Sequence, residues 1–164
     1  MKNILIVVDM QNGFDRYEQT HILAKKVIEL TNSGIFDKII ATRFLNKEGS
    51  QYTKFINWHR LMSSPDIDLV EGIKADAVVD KWVYTCVTKD FLELLKKCMK
   101  TATDLFEQSI MPIVLTEYCD SNGGPESHKA GIMVMDRLIG RKSIVPDKIK
   151  SKEDLVKIIA DRQY

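Results

Sequence analysis

The chain has 164 residues, of which 45% are apolar and 29% charged, with a formal net charge of +1. That length fits one domain, residues 1–164, with a single sizeable core. The balanced charge gives no field for nucleic acid or a membrane surface, and no stretch approaches the roughly 18 apolar residues of a membrane span.

The first element is the most informative. Ile4-Leu5-Ile6-Val7-Val8 is a continuous apolar run, which reads as a strand buried on both faces, and it ends on a single carboxylate, Asp9. In open α/β sheets the carboxyl ends of strands are where ligands bind. The plainer alternative is that Asp9 caps the turn that follows. A strand that begins within three residues leaves no room for a signal peptide.

Next, His21–Thr31 carries a helical stripe of Ile22, Leu23, Val27, Ile28 and Leu30, closed by Asn32-Ser33-Gly34. Lys38–Thr42 predicts a second strand. Arg43–Gly72 is long and irregular, and a loop of that length inside a compact domain is usually functional. A short helix near Tyr52–Ile56 and a lid or dimer-contact role are expected there. Ala77–Trp82 predicts a third strand, with Lys81 at its end. Thr88–Ile110 contains no Gly or Pro, and Phe91, Leu92, Leu94, Leu95, Cys98, Met99, Ala102, Leu105 and Phe106 fit one face of a helix of about six turns. Ile113–Glu117 and, more weakly, Ser143–Val145 predict strands. Glu126–Ile139 predicts a helix stopped by Gly140, and Ser151 caps a last helix with Asp154 in its first turn. Strand and helix alternate throughout, so the fold class is α/β with a mostly parallel, doubly wound sheet in three layers.

Three cysteines, Cys86, Cys98 and Cys119, form an odd and unclustered set. They predict free thiols in a reducing cytoplasm. His21, His59 and His128 are scattered, whereas metal sites need three or four ligands. No metal and no cofactor is expected. Arg43, Lys47, Lys54, Arg60 and Lys129 are either contacts for an acidic substrate or ordinary solvated surface.

Val8-Asp9-Met10-Gln11-Asn12-Gly13-Phe14 resembles the opening signature of the isochorismatase-like cysteine hydrolases (the nicotinamidase/isochorismatase superfamily). Val79-Asp80-Lys81-Trp82-Val83-Tyr84-Thr85 is similar to the context of that family's lysine. Thr101-Ala102-Thr103-Asp104, Pro112–Cys119 and Ser121–His128 extend the resemblance to about Val145. It implies Asp9 as catalytic acid/base and Lys81 as the ammonium that favours a thiolate. It also implies a small-molecule substrate with an amide or related carbonyl group, and Gln11, Phe14 and Tyr84 as candidate substrate contacts. In the family's nicotinamidase branch an Asp-x-His follows the second strand. Here the equivalent stretch is Ala41-Thr42-Arg43-Phe44-Leu45-Asn46, without histidine.

The resemblance breaks between Leu94 and Cys98. The family has a strand and a Gly-x-x-Thr-Asp-x-Cys-Val loop there, which supplies the nucleophile and the oxyanion donors. Here Leu94-Leu95-Lys96-Lys97 runs straight into Cys98, an omission of roughly one strand plus a connection. Cys98 is the nearest nucleophile candidate, but it stands one residue from the family's register, a rotation of roughly 100° on a helix. It also fits the apolar stripe, where a free cysteine behaves as a small hydrophobe. Cys86 and Cys119 remain open as alternatives. A non-catalytic relative serving as a binding module is the competing reading. If a central strand is missing, buried backbone groups must find partners, so Ile113–Glu117 is expected either to pair directly with Ile4–Val8 or to be completed by a swapped subunit, and a homo-oligomer is expected.

Overall fold

The structure, a computed structural model, describes residues 3–15, 18–83, 93–94, 113–121 and 123–162. In chain order these form β1 (Ile4–Val8), α1 (Glu18–Asn32), β2 (Lys38–Phe44), α2 (Gln51–Ile56) and β3 (Ala77–Lys81). After them come β4 (Val114–Leu115), a 3-10 turn (Thr116–Tyr118), α3 (Pro125–Ile139), a second 3-10 turn (Arg141–Ser143), β5 (Ile144–Val145) and α4 (Lys152–Ala160).

The sheet β1-β2-β3 is parallel throughout, with β2 in the centre. Its register aligns Val8 with Thr42 and Phe44 with Lys81, so all three strands end at one edge. Side chains alternate between faces. Leu5, Val7, Ile39 and Ala41 pack under Val27 and Leu30 of α1. Ile40 and Val79 pack on the other face with Ile4, Ile6 and Leu94. A second core joins Ile35, Val145, Ile149, Leu155 and Ile158, and Phe36 and Leu115 bridge the two cores. The cap of α4 is a capping box: Ser151 accepts from the Asp154 N–H, and the Asp154 carboxylate accepts from the Ser151 N–H.

The β4 region departs from expectation. Among the described residues β4 pairs with β5, not with β1, so the direct pairing of Ile113–Glu117 with Ile4–Val8 is corrected. Extended structure stops at Leu115 because the next three residues tighten into a 3-10 turn. Thr116 donates its hydroxyl to the Val145 carbonyl at 3.2 Å, and Glu117 is held by Lys26 at 2.8 Å. Leu115 reaches the core beside β1 through its side chain instead of through main-chain bonds. The long helix expected over Thr88–Ile110 lies outside the described residues, apart from helical Glu93 and Leu94. The expected omission of a strand falls on the same stretch. No helix among the described residues is long and apolar enough to cross a membrane.

The Arg43–Gly72 segment carries regular structure and main-chain bonds. Its first two residues extend β2, and Ser50 caps α2 through the Thr53 N–H. Its later part forms a wall beside the turn after β1: Asn12 N–H donates to the Asp68 carbonyl, Gly13 N–H to Asp66, and Val70 N–H to Met10, all near 3 Å.

Candidate functional site

Strict alternation along β1 would point Asp9 toward α1, on the face that carries Leu5 and Val7. Asp9 instead has φ 55°, a left-handed conformation that Asp tolerates better than most residues. The turn swings its carboxylate to the opposite face, where Thr42 and Lys81 stand. Thr42 donates its hydroxyl to Asp9 Oδ1 at 3.0 Å, and Lys81 Nζ donates to Asp9 Oδ2 at 2.7 Å.

Lys81 is the last residue of β3, and its side chain is 1% exposed, against 21% for Asp9. A lysine is almost never that buried unless paired. Its ammonium also meets the Val83 carbonyl at 3.3 Å and sits 5.2 Å from the centre of the Phe44 ring, a cation–π contact. The carboxylate is therefore part-exposed and the ammonium enclosed. This arrangement holds the lysine side chain against a carboxylate that stays open to solvent.

Behind this pair lies a dense support. Phe44 packs edge-on against Tyr52 at 5.0 Å and tilted against Trp58 at 5.7 Å, and Phe14 stacks on Trp58 at 6.4 Å. Gly13 has no room for a side chain: a Cβ would run into Leu61 Cδ2 and lie 3.0 Å from the Asp66 carbonyl. Gln11 was expected to touch substrate, but it is fully buried. Its two amide hydrogens donate to the Phe44 and Ile67 carbonyls, and its oxygen accepts from the Phe44 N–H.

No protein-family model and no curated protein matches the sequence. Solved structures do match. N-carbamoylsarcosine amidase from Thermoplasma acidophilum is 18% identical, with a TM-score of 0.65 over 92% of this chain and 100% of its own. A protein assigned as an isochorismatase from Burkholderia xenovorans is 11% identical, with a TM-score of 0.65 over 100% of this chain and 91% of its own. A nicotinamidase/pyrazinamidase from Acinetobacter baumanii is 16% identical, with a TM-score of 0.57 over 94% of this chain and 99% of its own. The chain has the isochorismatase-like fold.

Within the isochorismatase-like fold of this chain, Asp9, Lys81, Gln11 and Phe14 all gather at the sheet edge where β1, β2 and β3 end. Cys98, Cys86 and Tyr84 lie outside the described residues. Cys119 is half-buried, with its thiol donating to the Leu115 carbonyl at 3.2 Å. Burial, and then the charge of Asp120, pushes that thiol's pKa up, away from the reactive thiolate.

The basic candidates also find places. Arg43 makes a two-pronged contact with Asp80, at 2.8 and 3.0 Å, on the sheet face opposite Lys81. Its hydrogen bonds to that carboxylate raise its pKa further. Arg60 donates to the Gly13 carbonyl. Among the described residues no group of three or more His, Cys, Asp or Glu is placed to hold a metal ion. His21 meets Asp15, His59 meets Glu48 and Asn57, and His128 lies 3.9 Å from Asp120. A cavity of about 220 Å³ opens beside the end of β3, lined by Leu45, Lys47, Trp82 and Val83 among others.

Thr42 and Phe44 are the contributors that sequence reasoning missed. Thr42 carried one usable signal, a hydroxyl at the end of a buried strand next to the one that ends in Asp9.

Proposed function

We infer that this chain is a cysteine hydrolase acting on a small amide or related carbonyl compound. One observation carries the reading: a fully buried ammonium, Lys81, held 2.7 Å from a part-exposed carboxylate, Asp9, at the carboxyl edge of a parallel sheet. Three of the structures that share the fold are named as an amidase, an isochorismatase and a nicotinamidase.

In this reading Cys98 supplies the sulfur. Asp9 takes the thiol proton, and Lys81 stabilises the thiolate. The sulfur bonds to the carbonyl carbon, the carbon–nitrogen bond breaks, and Asp9 returns the proton to the leaving amine. Water, deprotonated by Asp9, then cleaves the thioester and releases the acid and the thiol. Phe14 and Tyr84 are assigned to the substrate's side of the site.

A second reading, an inactive relative that only binds, is favoured by one observation. The run Leu94-Leu95-Lys96-Lys97-Cys98 lacks the Gly-x-x-Thr-Asp segment that would supply oxyanion donors. Losing a single such donor typically costs about 10²–10³ in rate.

Alkylation with iodoacetamide at neutral pH, read cysteine by cysteine by mass spectrometry, separates the two. The hydrolase reading expects Cys98 to react far faster than Cys119, and Asp9→Asn to slow it. Uniformly slow labelling of Cys86, Cys98 and Cys119 rejects it.

A further inference from the structure

We propose that Gln11 is a positioning residue for the Asp9–Lys81 pair, acting as a side-chain replacement for the peptide group that β1 withholds from β2. The proposal rests on the hydrolase reading only for its consequence in catalysis; the geometry and its test stand without a substrate.

The ladder between β1 and β2 runs in register up to Val8 and Thr42, and Asp9 N–H still donates to the Thr42 carbonyl at 3.2 Å. One further step of a parallel ladder would bring the Asp9 carbonyl to the Phe44 N–H, and the N–H of residue 11 to the Phe44 carbonyl. Neither bond forms. The left-handed turn at Asp9 directs its carbonyl to the Gln11 N–H at 2.9 Å instead. That turn is what swings the carboxylate toward Lys81, and it carries the β1 main chain away from the Phe44 N–H and carbonyl.

The Gln11 carboxamide fills both places. Its Oε1 accepts from the Phe44 N–H at 2.7 Å, and its Nε2 donates to the Phe44 carbonyl at 3.0 Å. The second amide hydrogen reaches the Ile67 carbonyl at 2.9 Å and ties in the wall beyond the turn. A carboxamide is the one side-chain group that presents a donor and an acceptor in the geometry of a peptide. Phe44 is the residue whose ring lies under the Lys81 ammonium, and its register partner on β3 is Lys81 itself. Gln11 thus secures Phe44, and through Phe44 the floor beneath Lys81, while the turn it stabilises aims Asp9.

The test is acylation of lysines by acetic anhydride, quantified site by site, on the intact chain. Exposed lysines serve as internal references. Wild-type Lys81 is expected to be strongly protected. Gln11→Met keeps length and volume but removes the donor and acceptor, and is expected to raise Lys81 labelling relative to the references by about tenfold or more, the factor that matches the loss of a buried hydrogen bond. The labelling is done where circular dichroism shows the chain folded. Val145→Ala, in the second core, supplies a destabilised control and is expected to leave Lys81 protection unchanged.

Gln11→Glu keeps the acceptor and regains a donor only when protonated. Its Lys81 labelling, relative to the references, is expected to fall as pH is lowered, and this variant carries the test should Gln11→Met fail to fold. Unchanged Lys81 labelling in the folded Gln11 variants overturns the proposal, and so does an equal rise in Val145→Ala. Slow alkylation of Cys98 would instead remove the hydrolase reading and leave this result untouched.

Discussion

Thr42 and Lys81 grip the two oxygens of one carboxylate: the Thr42 hydroxyl lies 3.0 Å from Asp9 Oδ1, and the Lys81 ammonium 2.7 Å from Asp9 Oδ2. Both donors belong to strands whose ends the register brings level with the end of β1. The carboxylate is therefore held in one orientation, as the proposed acid–base role needs.

The two halves of the ion pair are not equivalent. Asp9→Asn keeps the left-handed turn but removes the negative charge facing an ammonium that is 1% exposed, while Lys81→Met leaves a carboxylate that is already 21% exposed. Asp9→Asn is expected to cost about 3–5 kcal/mol, and Lys81→Met distinctly less, because an apolar chain of similar size suits the Phe44 ring. The double variant is expected to be more stable than Asp9→Asn alone. Denaturant unfolding of the three variants checks this; equal losses that add would contradict it.

Thr42→Val preserves shape and strand preference and removes only the hydroxyl. A hydrogen bond to a charged group is worth about 1.5–3 kcal/mol, so a loss within or just below that range is expected in urea melts. A neutral result would show that the hydroxyl does not hold Asp9.

Much of this was legible in the sequence. An apolar run that stops on Asp9, and a shorter one, Ala77-Val78-Val79, that gives way to Asp80 and Lys81, can be read without coordinates as strand ends that carry charge. The roles of Thr42, Phe44 and Gln11 were not legible. They depend on which residues stand level across β1, β2 and β3, and on one left-handed residue that reverses the alternation rule at Asp9. The short reach of β4 was hidden for a related reason: Thr116 has strand character, but its hydroxyl bond to Val145 and the anchoring of Glu117 by Lys26 draw the chain into a turn.

Arg43 and Asp80 form the better-shaped ion pair but the less consequential one. Both side chains are part-exposed, so their two-pronged contact is screened by water. Arg43→Lys is expected to cost about 1 kcal/mol or less and to leave Lys81 protected from acylation, since the two pairs occupy opposite faces of the sheet. A change in Lys81 labelling would show that the faces are coupled.

Cys119 offers a pH test. Its pKa in the folded chain is raised by burial and by Asp120, so the folded state holds the thiol proton more tightly than the unfolded state. The associated stability is fully present below the unfolded thiol's pKa and is lost as pH rises through the folded value. Cys119→Ser is expected to flatten that alkaline loss and to leave Cys98 labelling unchanged. Fast alkylation of Cys119 near pH 8 would contradict its assignment as an inert thiol.

The central claim is that the Asp9–Lys81 pair activates a sulfur. The pH dependence of Cys98 alkylation measures this directly, in the wild type and in Lys81→Met. A thiol pKa below that of an ordinary cysteine is expected in the wild type, moving up toward the ordinary value of about 8.5 when the ammonium is removed. An ordinary pKa in the wild type, unmoved by Lys81→Met, would contradict it.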